Sequence, residues 1–439
     1  MDYLFIDNFR GFTDTCIPIR DVNFLVGENS TGKTSVLGLL KLISSARLLL
    51  RQGIGDDHIN FGNFSDMVSA HANDRTYFHI GYVWDDVKGK KDDRSGIGLL
   101  LTYKEHEGLP RLFRSTFSRG TRKVCFRFVR DGLRFRVDKY AKRPTANEIV
   151  SGLLHEWIRE HSSDEGQFEK LPLPRGFPPQ IPLLVALSLL QERSDSAHHQ
   201  KTEGPISGEF PDIPFPTELT WVAPIRTKPR RTYDELTLEF SPEGTHTPYL
   251  IRRLLHTKSA ATRFHDFIEK VGSASGLFES VTLKNFGRGA TAPFEVDIVL
   301  DGRPLNLSTV GYGVSQSLPV LVEVLARPHG SRFAIQQPEV HLHPRAQAVL
   351  GDVFFEMAAT EQKSFLVETH SDFTIDRFRM NYRKARGQKP ESQILFFERK
   401  EGKNTVTPIS ISPSGELPSE QPPSYRHFFI KEELEVLGV

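Results

Sequence analysis

The stretch Gly27-Glu28-Asn29-Ser30-Thr31-Gly32-Lys33-Thr34-Ser35 occupies every fixed position of the pattern G-x-x-x-x-G-K-[ST]. Glycines in such a loop let the backbone wrap closely around a phosphate, and successive N–H groups at the helix start attract its negative charge. In this pattern Lys33 reaches the terminal phosphates of a nucleotide, and the Thr34 hydroxyl group faces Mg²⁺. The sequence therefore predicts a phosphate-binding loop at Gly27–Ser35.

Apolar segments flank this loop on both sides. Val22–Val26 has the pattern of a buried strand, and Thr34–Leu50 that of an apolar helix, which is the order that opens a nucleotide-binding α/β core. Further short apolar strands are predicted at Phe333–Ile335, Ser364–Val367 and Ile394–Phe397, with helical patterns between them. Such strands predict an α/β fold with a mixed, mostly parallel sheet that is covered on both faces.

Two N-terminal segments carry a resemblance to a known family. Asn8–Phe12, followed by Phe24–Ser35, resembles the start of the ABC-type ATPases of the RecF, SMC and OLD group. The resemblance implies a two-lobed P-loop ATPase head that uses ATP and Mg²⁺ as cofactors. It also implies a homodimer or a higher oligomer of heads, with ATP held between two copies.

A glycine and serine loop lies farther along the chain, at Leu307–Gln316. It precedes a predicted helix and resembles the signature loop of the same group, which closes on the ATP bound to the phosphate loop of another subunit. Small residues and N–H groups at a helix N-terminus can form such a second anion site. The resemblance implies that the contacts in the partner copy come from Ser308, Gly311, Gly313 and Ser315.

The segment Phe333–Pro344 resembles the strand that ends in two acids and a proline in this group. In the family the first acid is linked to Mg²⁺ and the second is the general base. Here the two positions are Gln336 and Gln337. The resemblance implies that Gln336 acts with Thr34 at the metal ion and that Gln337 has a catalytic position, but an amide cannot accept a proton as a carboxylate does.

Nearby acids are candidates to replace the missing carboxylates. Glu339 is the nearest acid, and Glu368 and Asp372 flank the next motif. Either one of these acids takes over the catalytic role, or hydrolysis is slow, or the chain mainly binds ATP as a clamp. We expect a slow or gated ATPase.

Phe365–Asp372 resembles the segment that contains the switch histidine of the family. The resemblance implies that His370 senses the γ-phosphate and positions the attacking water. Polar groups of this kind stabilise the charge that develops in phosphoryl transfer. His370 is therefore a catalytic candidate together with Gln337 and Glu339.

A strongly basic segment stands apart from these motifs. Residues 110–145 carry twelve basic and two acidic side chains, a net charge of +10 in a chain whose net charge is +1. Val124–Val129 and Leu133–Val137 flank Asp131-Gly132, which predicts a β-hairpin. Alternation places Leu133, Phe135 and Val137 on a packed face, and on the basic face it places three candidate nucleic-acid contacts: Arg127, Arg134 and Arg136. A solvated face or a dock for an acidic partner would have the same pattern.

A second basic segment, Ala223–Tyr233, resembles one that is common in OLD-related ATPases. The resemblance makes its arginines candidates for pairing with the nucleotide or bracing the dimer. A basic turn between a strand and a loop would explain the same residues.

Composition sets broad limits on the chain. Its 439 residues, with 38% hydrophobic and 25% charged residues, are typical of a globular protein and exclude disordered and collagen-like classes. We expect no membrane span, since no apolar run approaches the roughly 18 residues required, and we expect a cytoplasmic location. Cys16 and Cys125 are expected to be buried thiols. The predicted domains are residues 1–60 and 217–305 for the ATPase head, 61–216 for an inserted α+β arm, and 306–439 for a C-terminal lobe.

The residues after His370 contain no acidic cluster of the kind that the OLD group places in its nuclease domain, so no nuclease is expected in this chain. The chain is similar to the ATPase subunits of Septu-type and retron-linked antiphage defence systems. That resemblance implies a separate effector, a nuclease or a toxin. Two alternatives remain open. One is a RecF-like ATPase that acts directly on DNA. The other is a metallohydrolase with a metal site formed by His341, His343, His370, Glu339 and Asp372.

Overall fold

The computed structural model describes residues 1–45, 48, 53–55, 58–85, 95–129, 132–163, 167–171, 183, 217–234, 239–287, 289, 291–425 and 428. The strands are β1 (Asp2–Asp7), β2 (Thr15–Ile19), β3 (Val22–Gly27), β4 (Tyr77–Asp85), β5 (Gly96–His106), β6 (Leu109–Arg119), β7 (Arg122–Val129), β8 (Gly132–Lys139), β9 (Glu169–Lys170), β10 (Leu219–Val222), β11 (Ser280–Asn285), β12 (Phe294–Leu300), β13 (Arg303–Asn306), β14 (Arg332–Gln336), β15 (Ser364–Glu368), β16 (Ser392–Lys400) and β17 (Lys403–Ile411). The α-helices are α1 (Lys33–Ile43), α2 (Phe64–Met67), α3 (Ala146–Glu148), α4 (Leu154–Ser162), α5 (Thr247–Leu254), α6 (Lys258–Ser275), α7 (Tyr312–Ala326), α8 (Pro344–Glu361) and α9 (Asp372–Lys384).

The chain forms two compact units. Unit 1 contains Met1–Ile19, Ser30–Glu218 and Glu398–Val406, and unit 2 contains Arg20–Asn29, Leu219–Phe397 and Thr407–Val439. This division differs from the predicted domains, because β1 pairs with β4 in the register Tyr3↔Val83. Strands β1 and β4, which the prediction assigned to the head and to the arm, therefore lie in one sheet. Pairing with β4 satisfies backbone groups that a free edge of β1 would expose.

Unit 1 is built on an antiparallel sheet in the order β2-β1-β4-β5-β6-β7-β8-β9. Helix α4 packs on it through Trp157, which is fully buried in a cluster with Phe5, Val83 and Leu100. The predicted hairpin is confirmed by the pairing of β7 with β8, while Asp131 lies outside the described residues. Much of the predicted arm after residue 171 also lies outside them.

A buried polar cluster lies between this sheet and α4. Thr102 Oγ1 is 2.8 Å from His79 Nδ1 and 2.5 Å from His161 Nδ1, and His161 Nε2 is 2.7 Å from Thr116 Oγ1. Burial lowers the pKa of His79 to about 4 and holds the pKa of His161 well below its ordinary value. Both imidazoles are therefore neutral in the native chain near neutral pH.

We expect this cluster to make the protein sensitive to acid. Between the ordinary histidine pKa of 6.5 and the native value of about 4, the unfolded chain binds a proton at His79 that the native chain does not. The free energy of unfolding should therefore fall as the pH falls, by about 3 kcal/mol for this group once the pH is below both values. Thermal unfolding at pH 7 and pH 5 measures the loss.

The replacement His79→Gln should reduce that loss, because glutamine does not titrate. His256→Gln is the matched control, since His256 is exposed. Equal losses of stability between pH 7 and pH 5 in the native protein and His79→Gln would contradict the assignment.

Unit 2 contains the predicted mostly parallel sheet, in the order β10-β14-β15-β3-β16-β17. Strands β10, β14, β15, β3 and β16 pair in parallel, with registers such as Gln336↔Glu368 and Glu368↔Leu25. Helices α7, α8 and α9 contribute to its buried core, and a separate antiparallel sheet has the order β11-β12-β13. The α/β class with mixed sheets is confirmed.

Some local predictions were inexact. The helix after the phosphate loop ends at Ile43, and residues 46–47 and 49–50 of its predicted extension lie outside the described part. Cys125 is buried as predicted, but Cys16 is only partly buried. Among the described residues, none of the helices combines the length and apolar character that crossing a membrane requires.

Candidate nucleotide-binding site

The phosphate loop has the backbone that its glycines predict. Gly27, Ser30 and Gly32 have positive φ angles of 141°, 63° and 98°. A side chain at Gly27 would collide with the carbonyl oxygen of Phe397, and one at Gly32 would collide with the ring of Phe12. Gly32 is the N-cap of the eleven-residue helix α1, which begins at Lys33, so the loop leads directly to a helix N-terminus.

Residues far away in sequence support the loop within unit 1. Arg399 Nη2 donates a hydrogen bond of 3.1 Å to the carbonyl oxygen of Ser30, and its Nε donates to Asn404 Oδ1 at 3.3 Å. The Asn404 side chain lies against Gly32 and Gly11. No local pattern in the sequence indicates these supports, because they come from the adjoining ends of β16 and β17.

The N-terminal segment that resembles the ATPase family also contacts the start of α1. Arg10 Nη1 donates a 2.7 Å hydrogen bond to Ser35 Oγ, and the guanidinium lies 5.0 Å from the centre of the Phe61 ring. Arg10 thus holds the side chain of the last residue of the phosphate loop. Burial lowers the pKa of Arg10, but the group remains a cation near neutral pH.

The carboxyl ends of three neighbouring strands meet at one edge of the six-stranded sheet. Gly27 ends β3, Glu368 ends β15 and Gln336 ends β14. Gln336 Nε2 donates a 3.0 Å hydrogen bond to Glu368 Oε2, and the Gln337 main-chain N–H donates to the carbonyl oxygen of Glu368 at 2.8 Å. The carboxylate in contact with Gln336 is therefore supplied by the adjacent strand, at Glu368.

Glu339 lies just beyond this edge, and its carboxyl group is buried. Its Oε1 accepts a 2.7 Å hydrogen bond from the main-chain N–H of His370, and burial raises its pKa. The side chain of His370 is exposed, so in this structure the two predicted catalytic residues are joined through the main chain of His370. Gln337 has a φ angle of 42°, a left-handed conformation that is uncommon for glutamine.

The glycine and serine loop is shorter than predicted. Leu307–Thr309 forms a 3₁₀ turn, and α7 begins at Tyr312 with Gly311 as its N-cap. Gly313 and Ser315 therefore lie inside the first turns of the helix, which corrects the prediction of an open loop at Ser308–Gln316. Glycine suits position 313, because a Cβ atom there would lie 3.0 Å from the carbonyl oxygen of His341.

The basic segment after β10 is split between the interior and the surface. Arg226 is 3% exposed, whereas Arg230 and Arg231 are exposed. Arg226 Nη2 donates a 3.0 Å hydrogen bond to the carbonyl oxygen of Gln336. Arg226 therefore packs beneath the strand edge, and its guanidinium is not accessible to a second copy of the chain.

The basic hairpin is only partly open. Arg136 pairs with Asp138 at 3.0 Å and with Glu160 at 2.8 Å, while Arg134 is exposed and Arg127 is half-buried. The packing prediction for Val137 was wrong, since its side chain is 46% exposed. Arg136 contacts Glu160 of α4, and Val137, the next residue in β8, points to the opposite face of the sheet, which α4 does not cover.

The histidines of the metallohydrolase alternative do not converge. His341 and His343 are both exposed, and His343 is the N-cap of α8. Within the described part of the chain, no group of three or more His, Cys, Asp and Glu side chains is placed to hold a metal ion.

The backbone of the phosphate loop is suited to bind the phosphates of a nucleoside triphosphate. The loop glycines have positive φ angles, and the loop ends at the N-terminus of α1. A backbone of this kind directs N–H groups toward a phosphate. Lys33 and Thr34 start that helix, where their side chains would reach the phosphates and a divalent cation. Within unit 2, Glu368 and Gln336 carry side-chain oxygen atoms of the kind that Mg²⁺ prefers.

A family model matches residues 22–376, which is most of the chain. Its description reads "AAA domain, putative AbiEii toxin, Type IV TA system". The chain belongs to this AAA-domain family. The matched range includes the phosphate loop, the end of β14 and the segment of His370.

Several solved structures are also similar to this AAA-domain protein, at 11% identity. An SMC head bound to the C-winged helix domain of ScpA covers 93% of this chain and 97% of its own, with a TM-score of 0.43. The SMC head domain from Thermotoga maritima covers 93% and 98% with a TM-score of 0.38, and the Pyrococcus furiosus Smc head bound to a ScpA domain covers 99% and 100% with a TM-score of 0.40. No curated protein sequence matches the chain.

Proposed function

We propose that the chain is a slow ATPase that binds ATP at Gly27–Ser35 and closes as a dimer around it. The observation that carries this proposal is the pair formed by Gln336 and Glu368 at the end of the central strands. An amide stands where the family has a carboxylate, and an acid on the neighbouring strand contacts that amide. Glu368 would thus supply one carboxylate to the cation. Gln336 lacks the negative charge of the carboxylate that the family has at its position.

Glu339 is the best candidate for the general base. Its carboxyl group is buried beside the strand edge, and burial raises its pKa toward the range where a carboxylate accepts protons effectively. The main-chain N–H of His370 orients it. Mg²⁺, when bound, would neutralise phosphate charge. Lys33 would bind the phosphates, and Glu339, oriented by His370, would accept the proton of the attacking water.

The dimer proposal rests on the start of α7. Gly27–Ser35 of one copy would face Ser308–Ser315 of the other, where Gly311 caps a fifteen-residue helix. A helix N-terminus with small residues favours an anion, so the phosphates of ATP would act as the link between copies. ATP binding and hydrolysis would then shift the populations of closed and open dimers.

The closed dimer would regulate a separate effector, a nuclease or a toxin, in antiphage defence. The family description connects the domain with a toxin–antitoxin system. The separate effector rests on the resemblance to the ATPase subunits of Septu-type and retron-linked systems. The alternative of direct action on DNA has weaker support, because Arg136 is paired with two acids.

Two measurements test the proposed function. Light scattering should show a dimer with ATP and Mg²⁺ and a smaller species without nucleotide. Cells that express the chain with the genes encoded beside it should resist phage, and the same cells with Lys33→Ala should be sensitive. Protection that survives Lys33→Ala would contradict an ATP-regulated role, and ATP turnover that requires DNA would favour the alternative.

The replacement Gln336→Glu tests why hydrolysis would be slow. Without a divalent cation, a second carboxylate beside Glu368 should lower the stability by about 1–3 kcal/mol, because a buried hydrogen bond becomes a repulsion. With Mg²⁺ the loss should be reversed and ATP turnover should rise. Thermal unfolding in EDTA and in Mg²⁺, with phosphate release, measures both effects.

Gln388→Glu adds the same charge at an exposed position and is the matched control. If Gln336→Glu showed no dependence of its stability on Mg²⁺, the cation would not bind at this strand edge.

A further inference from the structure

Arg226 is a buried cation close to the proposed hydrolytic residues. It follows β10, its side chain is 3% exposed, and burial lowers its pKa to about 10, so it stays charged near neutral pH. Removing a guanidinium from water is costly unless its N–H groups find partners. A buried arginine in this position therefore calls for an explanation beyond packing.

The contacts of Arg226 join two motifs of the site. Its main-chain N–H donates to Gln316 Oε1 at 3.2 Å, and its carbonyl oxygen accepts from Gln316 Nε2 at 3.3 Å. Its side-chain Nη2 donates to the carbonyl oxygen of Gln336 at 3.0 Å. Gln316 lies in the first turns of α7, so a single residue ties the start of that helix to the end of β14.

Three polar atoms near these contacts have no hydrogen-bond partner among the described residues. Nε and Nη1 of Arg226 form no hydrogen bond, and neither does Oε2 of Glu339. The positive charge of Arg226 nevertheless acts on Glu339. It lowers the pKa of Glu339 and so opposes the larger effect of burial, which raises it. Unsatisfied buried groups cost free energy and are rare in native structures, so these atoms require an explanation.

We propose that Arg226 is a positioning residue for ATP hydrolysis, which sets the placement of Glu339 and Gln336 according to the position of α7. The inference rests on the proposed function, since it assigns Arg226 to the same reaction. A movement at the start of α7 would pull on the main chain of Arg226 through Gln316. The guanidinium would then shift relative to the end of β14. Contact of α7 with the partner copy would thereby change the position of Glu339.

Two replacements of Arg226 separate charge from hydrogen bonding. Arg226→Met keeps an apolar stem of similar length and removes the charge, and it should lower kcat by on the order of 100-fold while KM for ATP changes little. Arg226→Lys keeps the charge and one donor, and it should recover part of the loss. A merely structural role would lower stability without this separation of kcat from KM.

The replacement Gln316→Leu tests the link to α7. It should also lower kcat with little change in KM, and the double variant with Arg226→Met should lose less than the sum of the two effects on the activation free energy. Lys228→Met is the matched control, since Lys228 is exposed in the same segment. Thermal unfolding of every variant verifies that the chain is folded.

The outcomes distinguish this inference from the proposed function. If the native chain hydrolyses ATP and the folded Arg226→Met variant keeps the native kcat, the positioning role is wrong. If Arg226→Met changes only KM, the residue binds nucleotide and the positioning role is again wrong. If the native chain neither binds nor hydrolyses ATP, the proposed function itself fails.

Discussion

Replacing Lys33 by alanine is expected to abolish ATP-dependent dimer closure. Lys33 begins α1 directly after the positive-φ glycine at position 32, and its side chain is 3% exposed. An ammonium group held at this point of the loop would contact the terminal phosphates. Its loss should weaken ATP affinity by roughly 100-fold, which corresponds to about 3 kcal/mol.

Binding of a fluorescent ATP analogue and light scattering with ATP and Mg²⁺ measure the two parts of this prediction. Lys258→Ala removes an exposed lysine from α6 and is the matched control. The assignment of the phosphate loop would be wrong if Lys33→Ala bound ATP as tightly as the native chain and still dimerised.

The phosphate loop was predictable because its information is local. The glycines at 27 and 32 adopt the left-handed backbone that their pattern requires, and helix and strand periodicity place β3 before them and α1 after them. Short-range rules of this kind depend only on neighbouring residues. The strands of the parallel sheet were found for the same reason.

Pairings between distant segments were not predictable in this way. The order β10-β14-β15-β3 places Glu368 beside Gln336, although 32 positions separate them in the sequence. Periodicity shows that a segment is a strand, but not which strand becomes its neighbour. The sequence named Glu339 as the nearest acid, with Glu368 and Asp372 as further candidates, and only the register showed that Glu368 is the acid in contact with Gln336.

The domain boundaries differed for a related reason. The prediction assigned β1 to the head and β4 to the arm, but both strands belong to the sheet of unit 1. Likewise, the alternation that placed Val137 on a packed face could not show that α4 packs on the opposite face, where Arg136 contacts Glu160. Strand alternation gives two faces, and the neighbouring elements decide which face is buried.

The largest catalytic effect is expected at Glu339. Replacing it by glutamine removes the candidate general base and keeps nearly the same shape, so the hydrogen bond from the main-chain N–H of His370 can persist. We expect kcat to fall by about 10²- to 10⁴-fold. ATP affinity should change little, because the phosphate loop is untouched, and the closed dimer should therefore persist longer in the presence of ATP.

The pH dependence of the native chain follows from the same carboxyl group. Burial raises the pKa of Glu339 above the ordinary glutamate value of 4.5, and Glu339 can accept a proton only when it is ionised. Activity should therefore decline on acidification at a higher pH than an exposed glutamate would give. Initial rates between pH 5 and pH 8, at saturating ATP, measure the position of this decline.

Glu368→Gln separates the base from the cation contact. It removes the carboxylate next to Gln336, so it should raise the Mg²⁺ concentration required for activity, whereas Glu339→Gln should lower kcat at every Mg²⁺ concentration. A native rate in Glu339→Gln, with Glu368→Gln inactive even at high Mg²⁺, would assign the base to Glu368. An inactive Glu339→Gln, with Glu368→Gln active at high Mg²⁺, would assign the base to Glu339. Glu339 would then replace the carboxylate that the family has at the position of Gln337.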